Sequence, residues 1–454
     1  MKSRSNLFFA ILSFLFILLL SACGPLDIKI EPIATSTPPF PTPIQVGQTP
    51  FDTPGPIPAP QEPTPAPTLT SSATSTEAVD LHLKPGTAVN ILLTKMLSDN
   101  NGWAIGQVDS DLVQHILFTA DGGQTWKDRT PLDGVSTVSA GGLSAVAYFA
   151  TDNSAWVSYT EGTPSGSLEA LVVWHTADNG VTWRKSQPLD LSGVNMEFQT
   201  PSDLGFLDEQ HGWIMIHLGV GMSHDYFAIF TTADGGTSWQ RVLDPDTKYP
   251  LMTCYKSGLA FTSPATGWIT GNCPGLMPGL FFFRSVDGGA NWTALILPVP
   301  AGKPANYYAQ EGEIVCGIPA INYASSSSLV VTLNCQNINN KTAQSWLYAS
   351  SDGGQTWKQH LLPLPYNKTG LIGPDDGFLV GSATTDLLAN GAVYHSMDSG
   401  STWALLTSTA WTGLPDFVDD RTGWVVAEYN QETAFVHTID GGRTWIEIKP
   451  VIGF

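Results

Sequence analysis

Seven aspartates recur along this chain at intervals of 42 to 65 residues: Asp121, Asp178, Asp234, Asp287, Asp352, Asp398 and Asp440. A recurring carboxylate could be an acid or base, a metal ligand, or the acceptor that closes a turn. The residues around it decide. Each aspartate follows a Ser or Thr by two positions, precedes a glycine by two, and precedes a tryptophan by five. A short Asp side chain accepts hydrogen bonds from backbone N–H groups just ahead of it. Glycine supplies the positive φ that such a turn needs. The tryptophan opens the next strand and buries a large ring. Seven copies of one frame call for seven turn acceptors, so these aspartates read as structural.

Other groups with chemical potential are weaker. His175, His395 and His437 each sit three residues before a frame aspartate, but Phe118, Thr231 and Ala349 hold that place elsewhere, so it is a strand position. His217, His224 and Asp225 share one loop, and Asp109 and Asp111 another. Neither offers a close pair at ligand spacing, so no metal and no cofactor is expected. There is no Gly-rich phosphate loop, nucleophile elbow or zinc motif. Of 15 tryptophans, seven lie in the frames and five in a preceding Gly-Trp element, which leaves Trp174, Trp346 and Trp411.

That preceding element shows what positions the frames. An apolar residue, a polar stretch and Gly-Trp come before the frame, as in Phe206 to Trp213, Phe261 to Trp268 and Phe417 to Trp424. Each unit reads as strand A, a polar turn, strand B from Gly-Trp, a variable loop, strand C ending at the aspartate turn, and strand D from the frame tryptophan. The period is that of a four-stranded propeller blade. Each blade has two apolar faces that only neighbouring blades can cover. The expected fold is all-β: a seven-bladed β-propeller of four-stranded antiparallel blades over residues 85–454.

These units resemble the Asp-box, or bacterial neuraminidase, repeats of sialidases, sortilin-type receptors and the photosystem II stability and assembly factor family. The Phe-x-Asp-x-x-x-Gly-Trp element, as at Phe206 to Trp213, is most similar to the last. The resemblance covers 85–454 and implies a non-catalytic scaffold that helps assemble or stabilise a membrane complex. Members that chaperone photosystem subunits are expected to use a basic patch, from which this acidic chain departs. Sialidase chemistry would need three arginines to grip a carboxylate, a Tyr–Glu nucleophile and an Asp acid/base. Beyond residue 23 there are six arginines, Arg129, Arg184, Arg241, Arg284, Arg421 and Arg443, and none stands in an Arg-Ile-Pro motif. The alternative remains a glycan-active enzyme or lectin of the sialidase-like class. A carboxylate pair facing the central pocket would mark the enzyme; an aromatic, carboxylate-poor face would mark the binder.

The first 22 residues read as a signal peptide. Lys2 and Arg4 precede an apolar run of 14 residues, Leu7 to Leu20, too short for a comfortable membrane span. Leu20-Ser21-Ala22-Cys23 looks like a bacterial lipobox, which implies cleavage before Cys23 and its acylation, enough for stable anchoring. Residues 23–84 then form a linker with 13 prolines between Glu31 and Thr70, expected to be disordered. The chain should therefore sit on the extracytoplasmic side of a bacterial membrane, touching the membrane only through lipid. Its net charge of −20 becomes −22 once Lys2 and Arg4 are lost, which argues against nucleic acid as a partner.

Four cysteines remain beyond Cys23. Cys254 and Cys273 straddle one A–B hairpin, and Cys316 and Cys335 another; partners across an antiparallel hairpin come within disulfide reach. The expected bridges are Cys254–Cys273 and Cys316–Cys335, with a Cys254–Cys316 bridge between adjacent inner strands as the alternative. A protein or peptide partner is expected on the B–C and D–A loops, where the non-repeated segments lie. The longest, before blade five, carries Tyr307, Tyr308, Glu311 and Glu313. The two tyrosines are the expected exposed anchors, on a surface formed by blades three to five of a monomer.

Overall fold

The computed structural model describes residues 82–454 except 110–111, 132–141, 162–169, 195–196, 222–223, 245–250, 252, 273–279, 311–312, 326–327, 384–390 and 431. The expected signal peptide, Cys23, almost all of the linker, Cys273 and Glu311 lie outside the described residues.

The chain is a seven-bladed β-propeller, each blade an antiparallel sheet built in chain order. Blade one is Asn90–Met96, Gly102–Gln107, His115–Thr119 and Thr125–Asp128; blade two is Leu143–Phe149, Ala155–Glu161, Trp174–Thr176 and Arg184–Lys185. Blade three is Thr200–Phe206, Gly212–Gly221, His224–Thr232 and Gln240–Leu243; blade four is Tyr255–Phe261, Gly267–Asn272, Phe281–Ser285 and Thr293–Ala294. Blade five is Ala320–Ala324, Leu329–Asn337, Thr342–Ser350 and Lys358–Leu361; blade six is Tyr366–Leu371, Gly377–Ser382, Gly391–Ser396 and Ala404–Thr409. Blade seven is Thr412–Phe417, Gly423–Tyr429, Glu432–Thr438 and Ile446–Ile448. First strands of blades two to seven touch in succession, and blade seven's touches blade one's; between blades one and two, Gly102–Gln107 meets Leu143–Phe149.

Two strands stand outside the repeat. Ile314–Cys316 pairs with the far end of Leu329–Asn337 in blade five. Val451–Ile452 runs parallel to Thr125–Trp126 and so extends blade one beyond its outermost strand. Residues ahead of blade one grip the same tail: Gly86 and Val89 donate to the carbonyls of Ile452 and Pro450. Both ends of the propeller are thus fastened to blade one.

The turns follow one scheme in all seven blades. Asp121 Oδ1 accepts the Thr125 N–H at 2.9 Å and the Thr119 hydroxyl at 2.9 Å. Its Oδ2 accepts the Thr125 hydroxyl at 2.6 Å, and Thr119 Oγ1 accepts the Gly123 N–H at 2.9 Å. Thr182, Ser238, Asn291, Thr356, Thr402 and Thr444 fill the Thr125 place elsewhere. Asn179 and Ser399 stand at positive φ where the other turns have glycine. In six blades the turn also donates back to the bend between first and second strands, as Gly122 N–H does to Asn100. Aspartate turns and first bends therefore share one end of each blade.

Three of the seams between blades hold aromatic triplets. Trp156, fully buried, lies between His175 of its own blade, at 4.4 Å, and Phe206 of the next, at 3.8 Å. Trp103 sits likewise between Phe118 and Phe149, and Phe378 between His395 and Phe417. In five blades the position three before the aspartate thus has a packing task, which His, Phe and, over Trp268, the Arg284 guanidinium perform. The Trp424 indole donates to the Gly122 carbonyl at 3.0 Å and closes the ring from blade seven to blade one.

Candidate partner-binding face

First strands begin, and second strands end, at the end of each blade away from the aspartate turns. There, between blades five, six and seven, a pocket of about 350 Å³ opens. Ala320, Tyr366 and Thr412 begin the three first strands at its wall, and Leu333, Val380 and Pro365 add apolar surface. Its polar groups largely satisfy one another. Asn334 and Ser345 both donate to the Pro365 carbonyl, and Asn367 Nδ2 donates to Leu364 O at 2.7 Å. Gly381 makes this crowding possible, since a Cβ there would stand 2.1 Å from the Tyr366 carbonyl oxygen. At the rim Lys368 Nζ meets Glu428 Oε1 at 2.8 Å, with both side chains half exposed. Glu428 is the one carboxylate among the lining residues, and it is already paired.

At the seam of blades three and four on the same side, several titratable side chains are buried. His217 Nδ1 lies 2.9 and 3.1 Å from the two oxygens of Asp225. Asp225 Oδ2 also accepts the Lys256 N–H at 2.9 Å. Lys256 Nζ donates to the carbonyls of Asp225, Thr253 and Cys254 at 3.1, 3.2 and 3.0 Å and lies 4.5 Å from the Phe227 ring centre. Lys256 is wholly buried, and that burial pushes its amine down to about 7. Burial pushes the Asp203 carboxyl up. Asp203 and Cys254 hold positive φ at 49° and 70°. Tyr255 stacks on His217 at 4.9 Å and is half exposed. His217 and Asp225, expected from sequence in one loop, stand instead on the second and third strands of blade three and form a buried hydrogen-bonded pair; among the described residues no group of three metal-ligating side chains assembles.

The two tyrosines expected as exposed anchors are corrected. Tyr307 is 4% exposed, edge-on to Trp346 at 5.8 Å, with Lys303 over both rings. The Tyr308 hydroxyl contacts the Pro298 carbonyl at 3.1 Å and the Tyr348 hydroxyl at 2.6 Å. Together they clamp the segment before blade five onto blades four and five. Glu313 remains exposed and accepts from Asn337 Nδ2 at 3.3 Å. The pocket described above belongs to blades five to seven, whereas the sequence pointed to blades three to five.

Cys316 and Cys335 stand opposite each other and are joined by a disulfide. Cys254 is also disulfide-bonded; its expected partner Cys273 is outside the described residues. The three tryptophans outside the repeat pack inside: Trp346 with Tyr307, Trp411 on Trp445 at 5.4 Å, and Trp174 under Lys185. A wider cleft of about 720 Å³ lies on the aspartate-turn side between blades seven and one, lined by Asn100, Gln124, His437, Glu447 and Lys449 among others.

No protein-family model matches the chain. Two curated proteins are similar to parts of it. One is a photosystem II assembly lipoprotein, Ycf48, of Synechococcus sp. (strain CC9902), 29% identical over 169 residues, 36% of this chain and 38% of that one. Another is a xyloglucanase of a Paenibacillus species, 29% identical over 208 residues, 40% of this chain and 19% of that one. The matched stretches thus span about two fifths and one fifth of these relatives. Among solved structures, Ycf48 bound to D1 peptide aligns with TM-score 0.44 and 16% identity, over 79% of this chain and 94% of that one. The xyloglucanase of Xanthomonas campestris aligns with TM-score 0.48 and 12% identity, over 82% and 55%.

Proposed function

We propose that this propeller is a non-catalytic scaffold that binds a protein or peptide on the face away from its aspartate turns, held outside a bacterial membrane by a lipid on Cys23. The observation that carries this is the blade-five-to-seven pocket. Its walls are mainly apolar, its polar groups are turned on each other, and its one lining carboxylate is held by Lys368. Such a site has little to offer a sugar's hydroxyls but suits an apolar side chain, the usual anchor of a peptide interface. The similarity to an assembly lipoprotein agrees with this reading. The similarity to a xyloglucanase favours the rival, a glycan-active propeller. Calorimetry against a peptide array and against xyloglucan oligosaccharides separates them. Peptide binding that is lost when Ala320→Trp fills the pocket supports the proposal. Oligosaccharide binding or cleavage that Ala320→Trp abolishes overturns it.

A further inference from the structure

We propose that the partner binds this face as an added β-strand on the open edge of Ile314–Cys316, with one of its side chains entering the neighbouring pocket. This rests on the peptide-binding reading above and specifies its geometry and the partner's chemistry.

The edge follows from register. Ile314 stands opposite Asn337, Val315 opposite Gln336 and Cys316 opposite Cys335. Gly317 N–H donates to Asn334 O and Ile338 N–H to Glu313 O. These two bonds bracket the outer pairs, so only Val315 exchanges both of its backbone bonds with the partner strand. The backbone groups of Ile314 and Cys316 therefore face the other way. Ile314 N–H is taken by Gln310 O. The Ile314 carbonyl and the Cys316 N–H and carbonyl have no hydrogen bond among the described residues. That is one donor and two acceptors in strand geometry, the template to which an extended chain adds.

What surrounds the edge identifies the occupant. Beyond the strand the chain runs through Gly317 to Ile318 and Ala320, which line the pocket. A strand advances about 3.3 Å per residue with side chains alternating, so a peptide residue opposite this continuation stands beside the pocket mouth. Exposed Glu313 flanks one end of the edge, on a chain of net charge −20. The occupant is an extended segment of another protein, with alternating apolar residues and basic residues at its ends. The chain's own linker is a poor substitute through its 13 prolines between Glu31 and Thr70, which lack the N–H an added strand must donate.

The test uses the full chain and a fluorescent synthetic peptide, Lys-Val-Thr-Phe-Thr-Val-Lys, with versions N-methylated at each residue in turn. Strand addition predicts an alternating pattern: methylation of residues facing the edge weakens binding by about tenfold or more, and methylation of those between leaves it within about twofold. Amide exchange at Cys316 should slow by about tenfold when the peptide is bound. A flat methylation profile with Cys316 unprotected overturns strand addition. If Ala320→Trp still abolishes binding in that case, the pocket reading stands alone. An alternating profile with Ala320→Trp binding normally supports the edge and removes the pocket. No binding by the unmethylated peptide overturns both.

Discussion

Replacing Lys256 by methionine should remove a pH dependence that the folded protein owes to one buried amine. The wild-type side chain is fully enclosed at the seam of blades three and four, and burial lowers it from its ordinary 10.5 to about 7. A fall of about 3.5 units is on the order of 5 kcal/mol between the two protonation states. Above 10.5 the amine is neutral whether the chain is folded or not, and it has no effect on stability. As pH falls below 10.5 the unfolded chain takes up a proton that the folded chain does not, so stability is lost progressively until pH reaches about 7. Below that both states are protonated and the loss is complete. The wild-type unfolding free energy minus that of Lys256→Met should therefore rise with pH between about 7 and 10, by up to about 1.4 kcal/mol per pH unit. Urea unfolding of both proteins at about pH 6.5, 7.5, 8.5 and 9.5 measures it; taking the difference cancels every other titrating group. A flat difference would refute the reasoning. It would mean that the carbonyls of Asp225, Thr253 and Cys254, which together can engage all three ammonium hydrogens, hold the proton against burial.

Three further outcomes follow from the packing. Ile452, 4% exposed on the closing strand, should cost about 2–4 kcal/mol as Ile452→Ala, and an unchanged urea midpoint would mean that the tail does not help fasten blade one. Tyr307→Ala should cost about 3 kcal/mol in the same assay; a stability equal to wild type would restore this side chain to the surface. Asp352 is held down to about 2 by the Thr356 hydroxyl, the Thr356 N–H and the Ser350 hydroxyl, so its contribution is complete above its ordinary 3.8 and is lost as pH falls toward 2. The stability gap between wild type and Asp352→Asn should accordingly narrow on acidification from about pH 4 to 2, and a gap independent of pH would contradict the turn scheme.

What could be read from sequence was local. The spacing of Ser or Thr, Asp, Gly and Trp specifies a turn within eight residues, and seven copies specify seven blades because a lone blade cannot cover its own faces. The frame holds one further turn partner. The residue four after each aspartate takes the second carboxylate oxygen, and its recurrence as Thr, Ser or Asn was visible in every frame. Contacts between distant segments left no such trace. Tyr307 follows no period, and nothing near it in sequence announces Trp346, its partner across the loop. Lys256 looks like any strand lysine until Asp225 and His217 arrive from the preceding blade. The strands Ile314–Cys316 and Val451–Ile452 are too short to show alternation, and each exists only because a formed blade offers it an edge.

The central claim is that the face away from the aspartate turns captures a protein or peptide. Its most direct test is capture by two variants from native membranes after crosslinking, Ala320→Trp in the pocket and Gln124→Trp in the cleft beside the aspartate turns. Both sites are exposed, so both variants should melt with wild type. The account predicts that Ala320→Trp loses a partner that Gln124→Trp and wild type both retain. Loss in Gln124→Trp with retention in Ala320→Trp would place the binding surface on the opposite face and contradict it.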